Sequence, residues 1–160
     1  MDAIHYLNLN FNLYRSLVMD DIRKFPSVLF QNWSCRVIPA LYMNNVPALQ
    51  LREIDDGTPI ATASVNLEEY ENYVLSLMHP DGYPTGEQFT FIKDWSENQG
   101  ILSALTKAKI VSEPVEIVSS GYIEEIPLVK VINEELSDEL YNLRERKENE
   151  ESKRHDVGLQ

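Results

Sequence analysis

Apolar and polar residues alternate between positions 4 and 14, where Leu7, Leu9, Phe11 and Leu13 are separated by Asn8, Asn10 and Asn12. A period of two predicts a strand with one wet face. Leu17, Val18, Ile22 and Phe25 follow at closer to helical spacing, which Pro26 stops. β-Forming residues then dominate 33–42 and 46–54 around Asn44-Asn45, a pair tolerant of positive φ, which predicts a hairpin. Pro39 and Pro47 each remove a ladder donor, so edges or bulges are expected there. Asp55-Asp56-Gly57 is a second turn, and residues 60–65 form a third strand of the meander.

The period changes at Tyr70, Tyr73, Val74, Leu77 and Met78, which share one helical stripe and are expected in the core. Asn66 and Glu69 read as a capping box, Glu68, Glu69 and Glu71 sit near the positive end of the helix dipole, and Pro80-Asp81-Gly82 ends the helix by His79. Residues 88–95 alternate as a strand. Ser96 and Gln99 form a second capping box before Ile101, Leu102, Leu105 and Ala108, with Lys107 and Lys109 at the negative end. Gly100 interrupts this helix at about 1 kcal/mol relative to Ala, which predicts a close backbone contact. Residues 114–118 and 122–132 form a hairpin around Ser119-Ser120-Gly121, and 133–153 a polar helix with Leu136, Leu140 and Leu143 as its stripe and only charge past Arg144. Its Glu150 and Arg154 are placed to pair.

These elements predict one α+β domain: an antiparallel sheet of five or six strands with two short packed helices and a C-terminal helix. The expected divisions are an N-terminal extension over 1–32, a core over 33–132, and a polar helix and tail over 133–160.

With 160 residues, 43% of them hydrophobic, the chain can bury a core without disulfides. Its one cysteine, Cys35, reads as a small half-buried hydrophobe in a reducing compartment. No positive region leads into an apolar run at the N-terminus and no run is long enough to span a bilayer, so a cytoplasmic protein is expected.

Charge alters the picture more. The formal net charge is -12, and residues 51–100 hold ten acidic side chains against Arg52 and Lys93. Direct binding of nucleic acid or of an anionic membrane is therefore not expected, since both need clustered cations. Helix N-termini account for Glu68, Glu69, Asp94 and Glu97. The remainder, Glu53, Asp55, Asp56, Glu71, Asp81 and Glu87, is the candidate binding surface for a basic partner.

Catalytic patterns are weak. His5, His79 and His155 lack further ligands at metal spacing, Asp55-Asp56-Gly57 lacks the alternating acids of a calcium loop, and the six glycines form no phosphate-binding loop. Ser119-Ser120-Gly121 lies in a hairpin, not a nucleophile elbow. A hydrolase with Asp55 and Asp94 converging ranks last. No catalytic residue, metal or cofactor is predicted, and an enzyme is not expected.

Phe91, Ile92 and Lys93-Asp94-Trp95-Ser96-Glu97-Asn98-Gln99-Gly100, continuing through Ile101-Leu102 to Ala108-Lys109-Ile110-Val111, resemble an uncharacterised family of small acidic proteins encoded by phages, plasmids and conjugative elements of gut Gram-positive bacteria. Pro59-Ile60-Ala61-Thr62-Ala63-Ser64-Val65-Asn66, Ser120-Gly121-Tyr122 and Ile126-Pro127 are similar to its other blocks, over about residues 33–132. The resemblance implies a non-enzymatic binding protein of a mobile element, an inhibitor of a basic host defence or nucleic-acid-binding protein, presenting carboxylates where phosphates would lie. It carries over no catalytic residue. The reading from another class is a structural or assembly protein that self-associates through apolar edges and the terminal helix.

Overall fold

The computed structural model describes residues 21–158, with side chains to 154. The strand expected over 4–14, and Leu17 and Val18 of the helical pattern, lie outside the described residues.

Gln31 and Asn32, both at positive φ (49° and 67°), turn β1 (Ser27–Phe30) tightly into β2 (Trp33–Leu41). The expected Asn44-Asn45 turn, with Asn45 at φ 69°, leads on to β3 (Pro47–Glu53), and Asp55-Asp56-Gly57 to β4 (Pro59–Thr62). These strands form an antiparallel sheet in the order β1-β2-β3-β4. Pro39 pairs with Leu49 on β3 but lies beyond Arg36, where β1 stops covering β2, so its missing N–H breaks no ladder.

The second sheet holds β5 (Ser64–Val65), β6 (Phe89–Ile92), β7 (Glu116–Ser120) and β8 (Ile123–Lys130), in the order β5-β6-β8-β7. The α+β class therefore stands, with eight described strands in two sheets of four where one sheet of five or six was expected. The division falls at Ala63, which is fully buried. Its N–H donates to Leu49 O of the first sheet, and its carbonyl accepts from Lys93 N beside the second, each at 2.8 Å. Ser64 Oγ accepts from Leu49 N at 3.0 Å and shares a hydrogen bond with Tyr42 Oη at 2.9 Å. Thr90 Oγ1 donates to Pro47 O at 2.6 Å.

Helices α1 (Glu71–Met78), α2 (Ile101–Lys107) and α3 (Glu134–Gly158) cover the sheets. Val74 and Met78 of α1 pack with Phe89, Phe91, Ile126 and Leu128. A larger cluster joins Phe25, Val28 and Phe30 to Leu49, Ile101, Val129, Leu136 and Leu140. Each such aliphatic side chain, fully buried, contributes about 1.5–3 kcal/mol. The core thus runs past both ends of the expected 33–132 unit, and a boundary at residue 32 cuts the β1–β2 turn.

Both capping boxes are corrected. A 3₁₀ turn (Glu68–Tyr70) precedes α1 without a side-chain cap, because Asn66 Oδ1 accepts from Asn44 Nδ2 and Glu69 is drawn to Ser120. At α2 the cap is Asp94, whose Oδ1 accepts from Gly100 N at 3.0 Å and Leu102 N at 3.1 Å. Gly100 does not interrupt the helix. It precedes it at φ 94°, and an added Cβ would meet nothing within 4 Å, so backbone conformation and not close contact selects glycine.

Of the expected stripe on α3, Leu136 and Leu140 are buried and Leu143 only half-buried, and Arg144 joins the buried face. Arg144 is 3% exposed and its Nη1 donates to Gln88 Oε1 at 3.1 Å and approaches Met78 Sδ at 3.3 Å. Its Nη2 lies 3.0 and 2.9 Å from the two ring nitrogens of His79, and Nε has no partner. Burial pulls this guanidinium below the ordinary arginine value. One turn on, Lys147 Nζ donates to the carbonyls of Tyr42 and Met43, tying α3 to the β2–β3 turn. No helix among the described residues is long and apolar enough to cross a membrane.

Ser64→Ala tests the junction. It leaves Leu49 N–H buried without an acceptor, and urea unfolding should show a loss of about 1–3 kcal/mol. An unchanged midpoint would mean the hydroxyl is not holding the two sheets together.

Candidate acidic interface

The six acidic residues read from the sequence do not meet on one face. Glu53, Asp55 and Asp56 share the β3–β4 turn, where they are partly structural: Glu53 Oε2 accepts from Asp56 N and Asp56 Oδ1 from Thr58 N, both at 2.9 Å. Glu71 is half-buried and accepts from Asn44 Nδ2 at 2.8 Å, fastening α1 to the β2–β3 turn. Asp81 is exposed at φ 56° in the turn after α1. Glu87 pairs with Lys130 at 2.8 Å. Asp94, half of the proposed hydrolase pair, is committed to capping α2.

The structure gathers a different set. Residues 110–129 contain Glu113, Glu116, Glu124 and Glu125 and no basic residue. They build the β7–β8 hairpin, which turns at Gly121 (φ 59°) and ends the second sheet. Hydrogen bonds tie β7 to α1 and the 3₁₀ turn before it: Tyr70 Oη donates to Ser119 O at 2.8 Å, Tyr73 Oη to Glu116 Oε2 at 3.1 Å, and Ser120 Oγ to Glu69 Oε1. A shallow groove here is lined by Tyr70, Ile117, Val118, Ser119, Glu124 and Glu125. Glu125 has φ 57°, and the pairing register slips between Val118 and Ser120, so the hairpin carries an irregularity beside the groove.

The tyrosine stripe only partly enters the core. Val74 and Met78 are buried, whereas Tyr73 is 41% exposed and spends its hydroxyl on Glu116. That hydrogen bond, ahead of desolvation and the carboxylate's charge, raises the Tyr73 phenol above the ordinary tyrosine value. Apolar side chains are also on view: Val115, Ile117 and Tyr122 are all exposed. Carboxylates, phenols and exposed aliphatics thus meet at one sheet edge, the composition of a recognition surface.

Other candidate groups sit elsewhere. Cys35 is fully buried rather than half-buried, and desolvation, with Glu53 second, pushes its thiol up. His79 faces Arg144. Among the described residues no group of three or more His, Cys, Asp or Glu is placed to hold a metal ion.

Comparison with known proteins returns no match: no family model, no curated protein and no solved structure is similar to the chain.

Tyr70→Phe removes the bond to Ser119 while keeping the ring against Phe91 (centroids 5.7 Å apart). Hydrogen exchange should quicken in β7, with about 0.5–1.5 kcal/mol lost in urea unfolding. Unchanged protection would show that α1 does not hold the hairpin.

Proposed function

We propose that the chain is a non-enzymatic binding protein that meets a basic protein through the acidic β7–β8 hairpin and the adjoining start of α1. The mobile-element setting belongs to the same proposal, with a basic host protein as the partner. The observation that carries it is the grouping of Glu69, Glu116, Glu124 and Glu125 around a groove lined by no basic side chain. Like charges held together raise the cost of the free state and attract an opposite surface over about 8–10 Å at physiological salt. Glu53, Asp55 and Asp56 stay outside this reading, because two of them already serve their own turn.

Self-association draws on the exposed Ile117 of β7 and Val115 just before it. Each copy, however, would bring the same carboxylates to the shared edge and a formal charge of -12 to the complex.

Calorimetric titration with an oligolysine peptide tests the proposal. The variant carrying Glu69→Gln, Glu116→Gln, Glu124→Gln and Glu125→Gln should bind about tenfold or more weakly at low salt, with its circular dichroism unchanged. The control carrying Glu53→Gln, Asp55→Asn and Asp56→Asn should bind like the parent, and high salt should weaken both the parent and the control. Equal losses in the two variants, or affinity indifferent to salt, would overturn the proposal.

A further inference from the structure

We infer that the partner enters as an extended basic segment that adds a strand to β7, its cationic residues alternating with apolar ones. This rests on the acidic-interface reading above and specifies how that interface is used.

Among the described residues β7 is terminal in its sheet and pairs only with β8. A terminal strand presents a row of main-chain donors and acceptors on its outer side, a template for another strand. Its five residues span about 17 Å. Ser119 O already accepts from Tyr70 and Val115 N already donates to Leu128 O, so the incoming strand aligns with residues 116–118.

The two faces of β7 differ, which sets the pattern of the guest. Glu116, Val118 and Ser120 look toward α1: Glu116 meets Tyr73, Val118 packs beside the Met78 cluster, and Ser120 meets Glu69. Ile117, 58% exposed, occupies the opposite face. Side chains of an added strand alternate in the same way. Cationic residues fall beside Glu116 and Glu69, and the residues between them cover Ile117. A second copy of β7 would instead bring Glu116 to an edge that already holds Glu116, so the charge that protects this edge from its own kind admits a basic strand.

The probe is the acetylated heptapeptide Lys-Val-Lys-Val-Lys-Val-Lys, with one analogue N-methylated at every valine and another at every internal lysine. An added edge strand uses only alternate N–H groups, so one analogue should bind about tenfold or more weakly and the other like the parent peptide. A same-composition peptide with its four lysines contiguous should also bind more weakly than the parent. If both analogues bind like the parent, or lose affinity equally, strand addition is overturned. Sensitivity of the parent peptide to the four Glu→Gln changes then shows whether the acidic interface still stands. If the parent peptide does not bind even at low salt, both readings fail together.

Discussion

One residue holds the architecture together. Ala63 gives its N–H to the first sheet and its carbonyl to a donor beside the second, so the main chain changes sheets without leaving a buried polar group unpaired. An orphaned backbone group at full burial costs about 1–3 kcal/mol. The side chain must be small, because the site is closed on every side. Ser64 and Thr90 repeat the solution with hydroxyls, each meeting a main-chain group of β3 or its approach. Crossing the two sheets at β3 places β7 at the far end of the second sheet, with one side unpaired among the described residues.

The terminal helix closes the other side. Leu136 and Leu140 supply apolar burial, and Arg144 supplies a cation that meets Gln88, Met78 and His79, none of them a carboxylate. A buried guanidinium hydrogen-bonded to no carboxylate stabilises little by itself, since desolvation offsets its hydrogen bonds. What it adds is direction: its planar donors meet the chain on both sides of the turn after α1, fixing α3 in one register. α1 in turn steadies the hairpin through Tyr70 and Tyr73.

Much of the fold was legible in residue periodicity. Alternation with turn residues located the β2–β3–β4 meander and the β7–β8 hairpin but not β1 or its turn at Gln31 and Asn32, and the stripe ending in Val74 and Met78 located α1. The two-sheet division was not, because residues 60–65 alternate as one strand and only tertiary hydrogen bonds at Ala63 divide them. The capping boxes misled for a related reason: Asn66 and Glu69 have the right spacing, but Asn44 and Ser120 claim them from elsewhere. Arg144 follows Leu136 and Leu140 at the same four-residue step, so its face was readable and its charge concealed it. The density of acids along the chain did not reveal how far apart the fold sets them. Residues 51–100 carry more acids, yet several are spent on turns, caps and an ion pair. Residues 53–92 lack Lys and Arg over a longer run than 110–129, so charge along the chain does not single out the hairpin; only the hydrogen bonds of Glu69 and Glu116 bring its carboxylates together.

The central claim is that the β7–β8 hairpin, and not the acid-richer β3–β4 turn, is the surface that meets cations. Amide chemical shifts of the ¹⁵N-labelled protein, followed while oligolysine is added at low salt, test it most directly. The account predicts shifts concentrated at residues 69–73 and 113–125, with residues 53–58 nearly still. Shifts centred on residues 53–58, or spread evenly over the acidic side chains, would contradict it.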